Sequence, residues 1–201
     1  MIRLLLADDQ ALVRGALAAL LDLESDLEVV SQVGSGDDVV AAARRTQADV
    51  ALLDVEMPGL DGIAAAAALA EAVPGCRSLI VTTFGRPGYL RRALDAGASG
   101  FVVKDTPSGQ LADAVRRVHS GLRVVDPDLA VASLTIGPSP LTSQESRVLA
   151  LAADGGTAAE IAGAAHLSEG TVRNYLSSAI GKTGARTRAE AVRNAQDNGW
   201  L

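Results

Sequence analysis

Short apolar runs alternate with longer segments of helical spacing through the first 120 residues of the chain. Near-continuous apolar runs of strand length are typical of strands buried on both faces of a parallel sheet. The alternation therefore indicates βαβ units, and five of them predict an α/β fold with a doubly wound, five-stranded parallel sheet. The predicted strands are 2–7, 29–33, 50–53, 79–81 and 101–103, and the predicted helices are 12–23, 39–45, 63–72, 90–96 and 111–118.

Prolines interrupt this alternation in the segment 121–140. Asp126-Pro127 and Gly137-Pro138-Ser139-Pro140 disfavour a helix, because proline lacks a backbone donor and restricts the residue before it. We therefore predict a first domain at 1–120, a linker without helices at 121–140, and a second domain at 141–201.

The second domain is predicted to be smaller and all-α. Thr142 and Glu145 have the spacing of a capping box, so a first helix follows Thr142 and ends at Gly155-Gly156. A tight turn is expected between the second and third helices, which makes them a helix-turn-helix that can lay its later helix in a DNA groove. The remaining predicted helices are 157–165, 168–180 and 187–195.

The net charge of −6 argues at first against a nucleic-acid partner. The distribution of charge does not argue against such a partner, because the segment from Arg173 to Arg193 contains five basic residues and a single acidic residue, Glu190. A neutral domain with a basic edge is compatible both with docking on phosphates and with a solvated helix face. Charge alone leaves these two interpretations open.

The single cysteine, Cys76, cannot form an internal disulfide, and no cysteine–histidine cluster indicates a structural metal. We therefore expect a reducing, cytoplasmic location. The apolar run after Leu4 stops at Asp8, too early for an export signal, and 63–70 is too short to cross a bilayer. Membrane insertion is not expected.

Polar residues follow four of the predicted strands. Because functional residues gather beyond the carboxyl ends of a doubly wound sheet, we expect these side chains to converge. Three carboxylates together would repel one another, and oxygen ligands without cysteine or histidine suit Mg²⁺. Asp54 can then attack a phosphoryl group whose oxygens contact Mg²⁺, Lys104 and the Thr82 hydroxyl. The residues of the predicted site are Asp8, Asp9, Asp54, Thr82 and Lys104.

These residues, with the run Met57-Pro58-Gly59-Leu60-Asp61-Gly62, make 1–120 resemble the receiver domain of bacterial two-component response regulators. The resemblance implies a flavodoxin-like fold and a phosphoacceptor, Asp54, that is phosphorylated by a sensor histidine kinase. It also implies that Asp9 and the backbone carbonyl of Glu56 share the Mg²⁺. Phe101 matches the switch aromatic, whose rotation follows a shift of Thr82.

Other classes fit the first domain less well. A haloacid-dehalogenase-type phosphatase needs Asp-x-Asp, but the chain has Asp54-Val55-Glu56. A dinucleotide fold needs a third glycine, which Gly34-Ser35-Gly36 and the residues after it lack. We expect a non-enzymatic regulator, and keep as alternatives a Mg²⁺-dependent phosphoryl enzyme and a DNA binder whose receiver no longer accepts phosphate.

The third helix of the second domain carries the DNA-binding signal. Ser168 caps it, and Thr171, Arg173 and Asn174 project from its first turns, where a recognition helix meets bases and phosphates. Glu160-Ile161-Ala162 and Gly170–Asn174 make 141–201 resemble the LuxR-type helix-turn-helix of the NarL/FixJ class. The resemblance extends the candidate DNA contacts to Ser177 and Lys182.

The combined resemblance implies promoter DNA as a partner and a homodimer that forms on phosphorylation. Ser177 replaces a lysine found in many members, so we expect low DNA affinity per monomer. The dimer surface is left open between a stripe at Leu111, Val115 and Val118, used with the first helix, and the fourth helix.

A narrower resemblance is to the DesR-like regulators of membrane-lipid desaturation. It rests on three short segments: Thr82-Thr83-Phe84, Arg86-Pro87-Gly88-Tyr89 and Asn198-Gly199-Trp200-Leu201.

Overall fold

The computed structural model describes residues 1–83, 85–135, 137, 139–153 and 155–201. They form two compact units, Met1–Gly85 with Leu90–Ala130, and Arg86–Tyr89 with Val131–Leu201. Among the helices in these ranges, none combines the length and apolar character that a membrane span requires.

The first unit is built on a parallel sheet with the strand order β2-β1-β3-β4-β5-β6. Its strands are β1 Ile2–Ala7, β2 Leu27–Val33, β3 Val50–Leu53, β4 Arg77–Thr82, β5 Gly100–Val103 and β6 Val124–Val125. The helices between β1 and β6 are α1 Ala11–Leu21, α2 Val39–Thr46, α3 Gly62–Ala72, α4 Pro87–Asp95 and α5 Ser108–His119. The α/β class and the parallel sheet are confirmed, and the predicted ends of elements differ from the observed ends by up to three residues.

The prediction of five strands is wrong, because the described sheet has six. Val124 and Val125 pair in parallel with Gly100 and Phe101 at the edge of the sheet. The segment 121–140 thus contributes β6, which no periodicity could indicate because it is two residues long.

The expectation that 121–140 contains no helix is also wrong, because α6 covers Pro127–Thr135. Pro127 is the first residue of α6, where its missing N–H is not needed and its fixed φ suits the helix. Asp126 caps the same end by accepting a hydrogen bond from the Leu129 backbone at 3.0 Å. Ile136 and Pro138, which also belong to the predicted linker, lie outside the described residues.

The face of α5 that carries Leu111, Val115 and Val118 packs in the main core of the first unit. These side chains are almost completely buried against strand residues such as Leu6 and Leu52. The suggestion that this stripe forms a dimer surface is therefore wrong, because its apolar atoms are already covered within one chain.

The second unit contains α7 Ser143–Leu151, α8 Ala158–Ala165, α9 Glu169–Lys182 and α10 Arg188–Asp197. Each of these begins at a side-chain oxygen that accepts a backbone hydrogen bond three residues on, as expected for N-caps. His166 ends α8 with φ of 57°, which makes the tight turn before α9. The predicted helix-turn-helix is confirmed, and the caps are Thr142, Thr157, Ser168 and Thr187.

Candidate phosphoacceptor site and nucleic-acid interface

Two neighbouring strands, β1 and β3, are each followed by an aspartate, and the two carboxylates lie close together. Ala7 of β1 pairs with Leu53 of β3, so the next residues, Asp8 and Asp54, come side by side. Carboxylate oxygens of Asp8, Asp9 and Asp54 lie within 4.8 Å of one another. Asp8 and Asp54 are buried, and Asp9 is exposed at the mouth of the cluster.

Lys104 supplies a positive charge to this cluster. Its backbone N–H donates to the carbonyl oxygen of Thr82, which holds the end of β5 beside the end of β4. Its Nζ lies 2.8 Å from Asp8 Oδ2 and 3.0 Å from Asp54 Oδ2. Burial by itself lowers the pKa of Lys104, but the two nearby carboxylates outweigh burial and raise that pKa.

The charges of the site suit a divalent cation. Burial raises the pKa of Asp54, Asp8 adds to the rise, and Lys104 opposes it. Three carboxylates thus face one ammonium group, and the contact between Asp8 Oδ2 and Lys104 Nζ is an ion pair rather than a well-aligned hydrogen bond. Hard oxygen ligands with surplus negative charge can hold such an ion.

Helix α1 adds a contact that the sequence analysis missed. Arg14 Nη1 donates to the backbone carbonyl oxygen of Asp8, and the Gln10 backbone donates to Asp8 Oδ1 at 2.8 Å. These bonds orient both the main chain and the carboxylate of Asp8. The sequence does contain a signal for this contact. A basic residue in the first turn of a helix, such as Arg14, is unfavourable for the helix dipole, so its presence there indicates another role.

The other predicted receiver residues lie on the neighbouring strands. Thr82 ends β4 and is buried, and Phe101 on β5 is fully buried opposite Ile80. The Glu56 side chain is exposed in the loop after β3 and is not one of the three converging carboxylates. The metal contact predicted for its backbone carbonyl stays a prediction.

A glycine brings the start of α3 against the backbone that follows β3. A Cβ on Gly62 would lie 1.9 Å from the Asp54 carbonyl oxygen, so no larger residue fits without moving the backbone. Asp61 caps α3 by accepting from the Ala64 backbone at 2.7 Å. The conformation of the loop after Asp54 is therefore determined by close backbone packing.

In the second unit, α9 exposes most of the predicted DNA contacts. Ser168 caps the helix and shares a hydroxyl hydrogen bond of 2.8 Å with Thr171. Arg173, Asn174 and Ser177 are exposed on the side of α9 that faces away from the buried residues. Helix and turn thus present a polar surface to solvent.

Lys182 is engaged at the far end of α9. Its Nζ contacts both carboxylate oxygens of Glu145, at 2.7 and 2.9 Å, and Ser178 Oγ donates to the same carboxylate. Glu145 also accepts from the Thr142 backbone, as its capping role requires. The lysine and these hydrogen bonds lower the pKa of Glu145 to about 2. The spacing of the capping box did not indicate this ion pair.

Comparison with known families matches both units. The family described as "Response regulator receiver domain" matches residues 4–116, and "Bacterial regulatory proteins, luxR family" matches 139–195. The chain is a response regulator with a LuxR-family domain. This confirms the resemblance to the NarL/FixJ class, which is a family of transcription factors rather than of enzymes.

Similar proteins extend over the whole chain. The "Transcriptional regulatory protein DesR" of Bacillus subtilis (strain 168) is 43% identical over 201 residues, with 100% of both chains covered. The "Response regulator RamR" of Streptomyces coelicolor is 42% identical and covers 100% of this chain and 98% of its own. The narrower DesR-like resemblance is confirmed, although Phe84, one of its residues, lies outside the described part of the structure.

Solved structures agree on the fold. The response regulator ChrA of a heme-sensing two-component system is 32% identical, with a TM-score of 0.60 and coverage of 100% and 98%. The structure of the RcsB–DNA complex is 24% identical, with a TM-score of 0.67 and coverage of 98% of each chain. At this identity, the similarity is evidence for the fold only.

Proposed function

We propose that this response regulator accepts a phosphoryl group on Asp54 from a sensor histidine kinase, dimerises, and binds promoter DNA to regulate transcription. The observation that carries the proposal is the convergence of Asp8, Asp9 and Asp54 on Lys104 at the carboxyl ends of three strands. A buried carboxylate beside a buried ammonium group is suited to phosphoryl transfer, in which charge stabilisation is the main task of the protein.

In the proposed transfer, an Asp54 carboxylate oxygen forms a bond to phosphorus while the bond from phosphorus to the donor nitrogen or oxygen breaks. Lys104 Nζ, already 3.0 Å from Asp54 Oδ2, neutralises a phosphoryl oxygen. Asp8, Asp9, Asp54 and the backbone carbonyl of Glu56 would hold Mg²⁺, which supplies further charge neutralisation when bound.

Phosphorylation is proposed to act through Thr82 and Phe101. Both side chains are buried on strands adjacent to the site, so a hydrogen bond from Thr82 to the new phosphoryl oxygens would require neighbouring side chains to repack. Phe101 is the largest of these and would move with Thr82. Such a repacking can create a self-complementary surface and a symmetric dimer.

DNA binding is proposed for the exposed face of α9. Thr171, Arg173, Asn174 and Ser177 would contact bases and phosphates, and Lys182 would join them only by giving up its contact with Glu145. Each domain offers one short recognition helix, so two linked copies bind more tightly through effective concentration. Two related half-sites about one helical turn apart or closer are expected.

We place the cores of the two domains at 1–120 and 141–201, and within the segment 121–140 the strand β6 completes the sheet of the first domain. The family matches support this division, since one ends at residue 116 and the other begins at 139. Two observations support a cytoplasmic location. The proposed partner, DNA, lies inside the cell, and the single cysteine, Cys76, is a buried free thiol.

The proposal is tested by phosphorylating the full chain with acetyl phosphate and Mg²⁺. Asp54→Asn should abolish phosphoryl incorporation, measured by intact-protein mass, whereas the matched surface variant Asp95→Asn should incorporate normally. Phosphorylated parent should form dimers in light scattering and retard promoter fragments. Undiminished labelling of the Asp54 variant would overturn the assignment.

A further inference from the structure

Helix α9 begins with an acidic residue on the surface proposed to face DNA. Glu169 is its first residue, and its carboxylate accepts a hydrogen bond from Arg173 Nη2 at 2.7 Å. The two residues are four apart, so they lie on the same side of the helix. Arg173, the principal candidate for a DNA contact, is therefore paired with an internal anion when the protein is free.

This pair contrasts with the second acid–base pair of the same helix. Lys182 contacts Glu145, and although the lysine side chain is 37% exposed, that of Glu145 is only 6% exposed, so this pair is anchored at its acidic end within the domain. The side chains of Arg173 and Glu169 are 68% and 49% exposed. Exposed pairs contribute little stability and are weakened by salt, so DNA can separate Arg173 from Glu169 without disturbing the fold.

Glu169 weakens binding to a DNA surface that carries only phosphates. A phosphate offers Arg173 an anionic oxygen, which Glu169 already provides, and it is repelled by the Glu169 carboxylate. A neutral pair also releases no counterions from DNA, although counterion release drives sequence-independent binding. A guanine edge offers two acceptors in the geometry of the guanidinium fork, which one carboxylate oxygen does not match.

We propose that Glu169 is a specificity-determining residue that suppresses sequence-independent DNA binding by holding Arg173. The inference rests on the proposed DNA-binding function and adds a way in which that function discriminates between sequences. An uncharged base edge that satisfies Arg173 bidentately displaces Glu169, whereas a phosphate, which can also bind the guanidinium bidentately, is opposed by the charge of Glu169.

The test uses the full chain, with and without acetyl phosphate and Mg²⁺, and a mixed-sequence 30-base-pair duplex as the probe. Glu169→Gln should bind this duplex about threefold to tenfold more tightly at low salt. Its plot of log affinity against log salt should steepen by about 0.9, the equivalent of one further phosphate contact. Glu71→Gln, which makes the same charge change at an exposed position of α3, should bind like the parent.

Arg173 must mediate the effect. In the Arg173→Gln background, adding Glu169→Gln should raise affinity by much less than it does in the parent, because only the direct repulsion between Glu169 and the phosphates is then removed. Selection from a random DNA pool should enrich fewer sequences with the parent than with Glu169→Gln.

Three outcomes decide the matter. Equal affinity of the parent and Glu169→Gln for mixed-sequence DNA would overturn the inference alone. If Glu169→Gln raised affinity equally in the parent and in the Arg173→Gln background, the inference would be wrong, and Glu169 would act only through its general charge. A parent that enriches no sequence from the random DNA pool in either state would overturn the proposed function together with this inference.

Discussion

The ammonium group of Lys104 lies between two buried carboxylates, and this arrangement gives each residue of the acidic site a different task. Asp54 and Asp8 are held inside by that contact, with Asp8 oriented further by Arg14 and Gln10. Asp9 is exposed and makes no ion pair with Lys104 in the described structure. Its carboxylate is therefore the one most accessible to an incoming cation.

We expect Asp9→Asn to weaken Mg²⁺ binding by about tenfold or more, because it removes a charged ligand from the cluster. Binding can be measured by competition with Mn²⁺, followed by electron paramagnetic resonance, so that the result does not depend on phosphorylation. Asp38→Asn is the matched control, since Asp38 is an exposed residue of the short helical turn before α2. Equal losses in both variants would mean that the cation binds elsewhere.

A partly buried polar contact joins α7 to α9 in addition to apolar packing. Glu145 lies in the first turn of α7, and its carboxylate contacts Ser178 and Lys182 near the end of α9. The same carboxylate completes the capping box of α7 with Thr142. One side chain thus stabilises the start of a helix and fixes the position of the recognition helix.

Removing this charge should destabilise the second unit. We expect Glu145→Gln to lower its free energy of unfolding by about 1–3 kcal/mol, because Lys182 loses its partner. Urea unfolding followed by the fluorescence of Trp200, the single tryptophan, reports on this unit. Glu71→Gln should leave the transition unchanged, and an unaltered transition in Glu145→Gln would contradict the expectation.

The same contact predicts a dependence on pH. The pKa of Glu145 is about 2 in the folded chain against a usual 4.5, so its contribution is complete above about 4.5 and is lost as pH falls towards 2. The stability difference between the parent and Glu145→Gln should therefore be constant near neutral pH and shrink below about 4.5. A difference that stays constant down to pH 3 would exclude this carboxylate as its source.

At the scale of the whole molecule, exposed leucines accompany α1. Leu12 and Leu23 are 87% and 80% exposed, and Leu20 is partly exposed. Several exposed apolar side chains along one helical segment are a feature of interaction surfaces. The helix begins two residues after Asp9, and Arg116 of α5 holds the loop after it through Glu24 and Asp26. We therefore infer that two phosphorylated copies pair through this surface.

Replacing these leucines should separate phosphorylation from dimerisation. We expect Leu12→Lys with Leu23→Lys to accept phosphate from acetyl phosphate as the parent does, but to remain monomeric because like charges would meet across the two-fold axis. Light scattering of the phosphorylated proteins measures this. Leu122→Lys, at another exposed leucine, is the control. A double variant that still dimerises would place the interface elsewhere.

The α/β class, the convergence of the acidic residues and the helix-turn-helix could all be predicted from the sequence. Those features depend on local signals: apolar runs that place Asp8 and Asp54 at strand ends, and side-chain caps such as Ser168 that start a helix. The carboxyl ends of parallel strands lie at one edge of the sheet, which is why these residues could be expected to converge. Local chemistry was sufficient wherever a residue acts through its own element.

The contacts between residues on different elements could be learned only from the folded structure. Val124 and Val125 are a strand because they pair with β5, and Val115 is core because α5 turns that face to the sheet. The resemblance makes Lys182 a candidate DNA contact, and only the fold shows that it also contacts Glu145, 37 residues away. Such contacts depend on distances between residues remote in sequence, which local spacing does not contain.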